Sequence, residues 1–173
     1  TRSAGGASAP KPINLALQGG GSHGAFTWGV LDRLLEDGRI NIDGICGTSA
    51  GAMNAVLVAH GLMHGGHDGA RATLADFWER VGQLGAMLNP VAAMAGANPL
   101  ANAGADPVLA TQQWAMESFT RTFSPYQFNP LGINPLRDVL RRHVDETAMR
   151  SGPISLFVNA TSVTTGQPRL FSG

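Results

Sequence analysis

Short apolar runs and amphipathic stretches alternate along the first sixty residues. Residues 13–17 and 40–46 are apolar runs of the length and composition typical of buried strands. Between them, residues 25–36 have the period of a helix and place four apolar side chains on one face: Val30, Leu31, Leu34 and Leu35. The order strand, helix, strand predicts a right-handed βαβ unit of a parallel sheet. The loops that follow both strands therefore lie at the same, carboxyl, edge of that sheet, where open α/β folds place their sites.

The later patterns extend this α/β chain without internal repeats. Four more helices are predicted, over residues 50–59, 70–83, 108–122 and 134–144. The last of them has Pro135 in its first turn, where proline is favoured. Residues 124–131 predict a loop, and residues 154–163 predict a strand that turns back at 164–167 into a returning strand. We expect one domain over residues 11–173, preceded by a disordered or processed tail at 1–10.

A serine stands at the apex of a sharp turn after the second strand. The sequence Gly47-Thr48-Ser49-Ala50-Gly51 joins that strand to the helix predicted at 50–59. A nucleophile elbow needs this order, because its turn is strained and glycines two places from the serine prevent collisions between strand and helix. The Ser49 hydroxyl is then expected at the end of the sheet, near the positive end of the helix. An ordinary glycine-rich turn has the same residues, so the motif alone leaves both interpretations open.

A glycine run, Gly19-Gly20-Gly21-Ser22-His23-Gly24, follows the first strand and has three interpretations. It matches the dinucleotide fingerprint, but the second strand lacks the terminal acidic residue that holds a ribose, since Asp43 comes too early. A Walker-type phosphate loop fails because Ala25 occupies the position of its lysine. The third interpretation is an oxyanion hole formed by the backbone N–H groups of residues 20–22, each worth roughly 3 kcal/mol. A serine elbow and an oxyanion hole at one sheet edge are complementary parts of acyl-transfer chemistry.

These two motifs, in this order and at this separation, resemble the N-terminal part of a patatin-like phospholipase of the bacterial type. The resemblance covers residues 15–61 and implies a three-layer α/β/α fold with a largely parallel sheet, incomplete in this chain. It also implies lipid acyl hydrolysis by a Ser–Asp dyad. The nucleophile of the family falls on Ser49. The oxyanion motif of the family falls on Gly19, Gly20, Gly21, Ser22, His23 and Gly24.

One position of the oxyanion motif departs from the family. Many members carry arginine or lysine where this chain has His23. If that cation supports the oxyanion loop, the role of the histidine is weaker or depends on pH. The alternative is that His23 caps the start of the following helix.

Composition and charge narrow the function further. The formal net charge is zero and charged residues are 14% of the chain, without a basic stripe, so we expect no nucleic-acid partner. Cys46 is the lone cysteine, which excludes an internal disulfide and a cysteine metal cluster, and we expect it in the core. No apolar run reaches the roughly twenty residues of a membrane span. We expect no cofactor and a cytoplasmic location in a bacterium.

Three histidines after the serine turn raise the question of a metal site. His60 and His64 share a helix face, with His67 close behind, but three glycines interrupt the pattern: Gly61, Gly65 and Gly66. We therefore expect a solvated turn and no metal. Asp68 imitates the Asp-Gly motif that carries the family's catalytic aspartate, but it comes too early in the sequence. We expect Asp68 to be the N-cap of the helix predicted at 70–83.

Residues 84–106 have an unusual composition of Ala, Gly, Asn, Met and Pro with almost no charge. Methionines accept varied alkyl shapes, so this stretch fits an interfacial lid or an acyl-chain channel. A passive insertion has the same composition, and both interpretations stay open. A lid predicts that deletion of residues 84–106 changes the selectivity between long-chain and short-chain esters.

We expect hydrolysis of a carboxylic ester, above all a lipid acyl ester, with Ser49 as the nucleophile. The same chemistry on a polyester, another ester or a thioester is one alternative, and a binding domain without its base is the other. The expected partners are an acyl ester substrate, a transiently bound membrane surface and a further C-terminal segment of the same domain. That segment is expected to supply the catalytic aspartate, because the carboxylates and histidines of residues 1–173 are badly placed for Ser49. The chain alone is then expected to be inactive, with an unpaired sheet edge and exposed apolar surface.

Overall fold

A computed structural model describes residues 9–88, 135–149 and 152–172. The density of contacts divides the chain into two compact units, residues 1–78 with 140–173, and residues 79–139. The first unit contains the sheet and both loops singled out above. In the second unit the structure describes residues 79–88, the end of a long helix, and residues 135–139, the start of a shorter one. The single domain predicted over residues 11–173 stays a prediction.

The sheet has four strands in the order in which they occur in the chain. They are β1 (Lys11–Leu17), β2 (Ile40–Thr48), β3 (Ser155–Thr161) and β4 (Pro168–Ser172). β1, β2 and β3 run parallel, and β4 returns antiparallel to β3. This confirms the parallel βαβ unit, the later strand and the returning strand. The α/β fold with a largely parallel sheet is therefore as expected from the sequence.

Helix α1 (Gly24–Asp37) connects the first two strands and ends at Gly38, which has left-handed backbone angles. Its inner face buries Leu31 and Leu35 almost completely. Val30, predicted on the same face, is instead 44% exposed. The buried stripe of this helix is therefore narrower than the hydrophobic pattern suggests.

Helix α2 (Ala50–Leu88) is two helical segments folded back on each other. Gly65 and Gly66 have non-helical backbone angles and form the bend between segments 50–64 and 67–88. The segments run antiparallel: a Cβ on Gly61 would lie 2.4 Å from the Cα of Ala70, and farther from the bend Asn54 Oδ1 accepts a hydrogen bond from Trp78 Nε1. Arg71 of the second segment also contacts α1, with its Nε 2.9 Å from Asp32 Oδ1.

The bend corrects two predictions for this region. Gly61 does not interrupt the helix but provides the space in which the two segments touch. Asp68 lies inside the first turn of the second segment, after the bend at Gly66, and so it is not the N-cap that we predicted. Its exposed carboxylate is 3.9 Å from Arg71, one turn later.

Two short helices precede β3. Helix α3 (Pro135–His143) begins at the predicted proline, and α4 (Glu146–Met149) follows it. The Asp145 carboxylate accepts hydrogen bonds from the backbone N–H groups of Thr147 and Ala148, which lowers its pKa. At the end of α3, His143 Nε2 is 2.6 Å from Asp76 Oδ2, which links α3 to the second segment of α2.

The core lies between one face of the sheet and the helices. Its most buried large side chains come from α1, β2 and both segments of α2, and they are Leu31, Leu35, Ile45, Leu57, Val58, Leu74 and Phe77. Cys46, predicted in the core, is exposed. Side chains alternate along a strand, so Cys46 lies on the opposite face from its buried neighbours Ile45 and Gly47. On that face it lines an open cavity of about 620 Å³ together with Phe157.

Several predictions lie outside the described residues. They are the helix at 108–122, the loop at 124–131 and all of the stretch at 84–106 except residues 84–88, which belong to α2. Across the part of the chain that the structure describes, no helix combines the length and apolar character needed to cross a bilayer.

Candidate active site

Ser49 occupies a strained turn between β2 and α2. Its φ is 54°, a left-handed value that non-glycine residues rarely adopt. The Ser49 carbonyl accepts a hydrogen bond from the backbone N–H of Met53 at 3.1 Å and so begins the helix. The residue is exposed, at the N-terminal end of α2, where the helix dipole favours negative charge.

The glycines on either side allow the strand, the helix and β1 to approach closely. A Cβ on Gly47 would lie 2.4 Å from the carbonyl oxygen of Gly51. A Cβ on Gly51 would lie 2.3 Å from the carbonyl oxygen of Leu17 at the end of β1. Both distances are far shorter than a van der Waals contact, so only glycine fits at these two positions. Thr48 and Ala50 complete the turn, Thr48 as the last residue of β2 and Ala50 as the first of α2.

The glycine run packs directly against this turn. A Cβ on Gly19 would lie 2.9 Å from the Thr48 carbonyl oxygen and 3.1 Å from Ser49 Cβ. The two motifs, thirty residues apart in the sequence, therefore meet at the carboxyl edge of the sheet. β1 and β2 run parallel, so the loops that follow them leave the sheet at the same end.

The run forms a short 3-10 turn, Gly21–His23, between β1 and α1. Gly21 has a φ of 57°, and no atom lies within 4 Å of the place where its Cβ would be. Glycine is therefore required at this position by the backbone conformation and not by crowding. Gly20 precedes the turn, and its carbonyl accepts the backbone N–H of His23 at 3.1 Å.

His23 supports the loop and does not cap the helix with its side chain. It stands at the N-cap position of α1 without a side-chain capping hydrogen bond. Its ring Nδ1 is 3.1 Å from the Gly20 carbonyl oxygen, to which it donates when it carries a proton. The capping alternative therefore holds for the position of His23 but not for a side-chain hydrogen bond. His23 also lines, with Gly20 and Phe26, a cavity of about 380 Å³ beside the loop.

The end of the glycine run is held by a buried polar contact that the sequence analysis missed. Asn54, on the first segment of α2, is fully buried. Its Nδ2 donates to the Gly24 carbonyl at 2.9 Å, and its Oδ1 accepts from Trp78 Nε1 at 2.8 Å. The sequence did contain a signal for this contact: Asn54 is an amide among the apolar residues of 50–59. A polar side chain that is buried there needs hydrogen-bond partners.

An apolar groove of about 450 Å³ begins at Ser49. One wall is the first segment of α2, and the other is β3 with one residue of α3. The lining residues are Thr48, Ser49, Ala52, Met53, Val56, Leu140, Val158, Asn159, Ala160 and Thr161. Most of the side chains that line it are apolar, and Ser49 is one of the lining residues.

Three of the other polar candidates, His64, His67 and Asp43, have hydrogen-bond partners of their own, whereas the buried Nδ1 of His60 has none among the described residues. His64 Nδ1 is 2.8 Å from the His60 carbonyl, and His67 Nδ1 is 3.0 Å from the Leu35 carbonyl. Burial, followed by the neighbouring charge of His64, lowers the pKa of His60. The Asp43 carboxylate accepts a hydrogen bond from Asn41 at 2.7 Å. Within residues 9–88, 135–149 and 152–172, no three such side chains are grouped as a metal site would require.

Gly51→Ala tests the close approach at the turn. The added Cβ meets two carbonyl oxygens of the β1 end, Leu17 and Gln18, so we expect a loss of about 3 kcal/mol in the free energy of unfolding. For a chain of this size that corresponds to a decrease of about 10 °C in Tm. Gly29→Ala is the matched control, since Gly29 lies on α1 with nothing within 4 Å. Thermal unfolding of both variants gives the comparison, and equal Tm values contradict the steric role of Gly51.

Comparison of this chain with known proteins identifies the family to which it belongs. A family model described as patatin-like phospholipase matches residues 15–172. No curated protein matches significantly. A solved structure, the heterodimeric complex ExoU–SpcU from the type III secretion system of Pseudomonas aeruginosa, is similar at 20% identity with a TM-score of 0.40. The alignment covers 96% of this chain and 33% of that chain, so this chain spans about a third of that protein's length. Because the family model takes in both loops and the whole described sheet from Leu15 onward, the chain belongs to the patatin-like phospholipase family.

Proposed function

We propose that this chain carries the nucleophile and the oxyanion hole of a lipid acyl hydrolase. The observation that carries the proposal is the contact of Gly19 with the Ser49 turn. It brings an exposed serine, held in a strained turn at a helix N-terminus, next to a glycine loop. Membership of the patatin-like phospholipase family supports hydrolysis of lipid esters as the reaction.

The reaction has two steps. A base removes the proton of the Ser49 hydroxyl while Oγ attacks the carbonyl carbon of the ester, and the carbonyl oxygen becomes an oxyanion. The N–H groups of Gly20, Gly21 and Ser22 stabilise that charge as it develops. The oxyanion collapses to an acyl-enzyme, and the alcohol leaves with the proton that the base returns. Water, activated by the same base, then attacks the acyl-enzyme and releases the fatty acid and the free serine.

The base in this proposal is an aspartate of a further segment outside residues 1–173. It is the partner that the Ser–Asp dyad of the family requires. The ester itself belongs to a lipid surface, which the protein contacts transiently.

The groove that begins at Ser49 is suited to the acyl chain. Met53, Val56 and Val158 present apolar side chains along it. An acyl chain bonded to the reacting carbonyl extends from the serine, and burial of each CH₂ contributes about 0.8 kcal/mol to binding. Long acyl chains are therefore the preferred substrates in this proposal.

Val56→Phe is expected to shorten the preferred chain. Val56 lies two helical turns after Ser49, about 10 Å along α2, so a larger side chain there closes the far part of the groove. We expect kcat/KM for long-chain esters to decrease by about tenfold or more, the value of two lost CH₂ contacts, with short-chain esters little affected. Val30→Phe, the same change on the exposed side of α1, is the control. A parallel loss for all chain lengths speaks against the groove as the acyl site.

A fluorophosphonate probe tests the proposed function most directly. Only an activated serine is labelled, so peptide mapping of the labelled full-length protein should locate the probe on Ser49. A panel of phospholipids, lysolipids, short esters and thioesters then separates lipid hydrolysis from the same chemistry on another acyl compound. A full-length protein that binds lipid vesicles without labelling or hydrolysis is a binding domain, and the proposal is then wrong.

A further inference from the structure

Asn54 is a fully buried polar side chain on the first segment of α2, five residues after Ser49. Its amide connects this segment to Gly24 at the end of the glycine loop. We propose that Asn54, held by Trp78, is a positioning residue that fixes the glycine loop relative to Ser49. This inference rests on the proposed function, because it concerns where the oxyanion donors lie when Ser49 reacts. We call the contact of Gly24, Asn54 and Trp78 the loop clamp.

The loop clamp uses both ends of one amide group. Asn54 Nδ2 donates to the Gly24 carbonyl at 2.9 Å, and Asn54 Oδ1 accepts from Trp78 Nε1 at 2.8 Å. Only one orientation of the amide satisfies a carbonyl on one side and an indole N–H on the other. Asn54 is fully buried and Trp78 is 8% exposed, so water does not replace either partner. The indole bond thereby fixes the direction in which the amide donates.

Packing reinforces the hydrogen bonds at the same point. A Cβ on Gly24 would lie 2.7 Å from Ala50 Cβ and 2.8 Å from Trp78 Cη2. Ala50 directly follows the serine, so Gly24 touches the chain one residue beyond Ser49. Glycine is needed at 24 because the Trp78 ring and Ala50 already occupy the space of a side chain.

The glycine loop is therefore attached to the serine turn at both of its ends. Gly19 contacts Thr48 and Ser49 before the loop, and Gly24 contacts Ala50 and Asn54 after it. Between these two attachments, the N–H groups of residues 20–22 have little freedom to move relative to Ser49. Oxyanion stabilisation depends on that distance, and a displacement of about 1 Å can cost about 10²-fold in rate.

A loss of the loop clamp should lower kcat and leave KM almost unchanged. The groove that begins at Ser49 does not include Gly24, Asn54 or Trp78, so ground-state binding of the acyl chain does not depend on the clamp. The negative charge is absent from the bound substrate and develops in the transition state that leads to the tetrahedral intermediate, and misplaced donors therefore affect kcat.

Trp78→Phe is the test, because it removes the indole N–H together with the Cη2 and Cζ2 atoms that lie 2.8 Å from the Cβ position of Gly24, and it leaves an aromatic ring on the same helical segment. Asn54→Leu is the second variant, since it removes the donor to Gly24 and the acceptor for Trp78 at similar volume, and it should change kcat and loop exchange in the same direction. Leu74→Val is the control: Leu74 is fully buried on the same helical segment, one turn before Trp78, and makes no polar contact. We measure Tm, kcat and KM for ester hydrolysis, and hydrogen exchange of the amides of residues 19–24 in the full-length protein.

We expect Trp78→Phe to lower kcat about tenfold with KM within twofold, and to speed amide exchange of residues 19–24 about tenfold. Leu74→Val should lower Tm to a similar extent and leave kcat and loop exchange unchanged. Unchanged loop exchange in Trp78→Phe overturns the inference, and so does faster exchange without a change in kcat. If the wild-type protein lacks turnover and Ser49 is not labelled, the proposed function fails, and loop exchange still decides whether the clamp holds the loop.

Discussion

Ser49→Ala is expected to lower ester turnover by about 10⁴-fold or more in the full-length protein, since the proposed acyl-enzyme forms on the Ser49 hydroxyl. The turn itself should survive the change. The serine is exposed and its hydroxyl fills no cavity, and alanine accepts the φ of 54° at a cost similar to that of serine. We therefore expect a Tm within a few degrees of wild type.

The control for this variant is Ser155→Ala. Ser155 is an exposed serine at the start of β3, at the opposite edge of the sheet from Ser49. It should keep full turnover and full labelling by the fluorophosphonate probe. Turnover of the Ser49→Ala variant within tenfold of wild type means that another residue is the nucleophile.

Gly21→Val is expected to lower kcat by about 10²-fold or more, the effect of losing an oxyanion donor. The valine side chain does not collide with the protein, because nothing lies within 4 Å of its Cβ position. Its cost comes from the φ of 57°, which a β-branched residue resists, so the loop rotates and the N–H groups turn away from the substrate.

Gly38→Val separates the loss of turnover caused by misplaced N–H groups from the loss of stability that backbone strain causes at any such glycine. Gly38 follows α1 with a φ of 70° and also has nothing within 4 Å of its Cβ position. The two variants should therefore lose similar stability, whereas only Gly21→Val should lose turnover. If Gly21→Val keeps its turnover while the protein binds a pyridine nucleotide, the dinucleotide interpretation of the glycine run was right.

Those parts of the site that are formed by consecutive elements of the chain could be predicted from the sequence. A strand, a glycine run, an amphipathic helix and a second strand are consecutive, so their pattern predicts both β1–α1–β2 and the edge at which the two loops meet. The role of Gly47 and Gly51 was also predictable. Where a strand turns sharply into a helix there is no space for a side chain at these two positions, and only glycine fits. These features need no knowledge of the rest of the fold.

Features that depend on contacts between distant segments were not predictable. Gly61 suggests a helix break when seen alone, but it is needed for the close approach of Ala70. Asn54 looks like a tolerated polar residue in a small-residue helix until Gly24 and Trp78 are placed beside it. Cys46 alternates out of the core because only one face of β2 is covered by the described helices. In each case the partner lies in another part of the chain, where periodicity gives no information.

The bend in α2 also provides an attachment point for a reporter group. Gly65 and Gly66 are exposed, and nothing lies within 4 Å of either Cβ position. A short flexible peptide inserted between them only lengthens a loop, and the entropy cost of closing a loop grows slowly with its length. The two helical segments still meet through Gly61 and Ala70, so the serine turn keeps its place. A fluorophore carried by such an insertion would report whether the protein binds lipid vesicles, while leaving the edge of the sheet at which Ser49 lies unmodified.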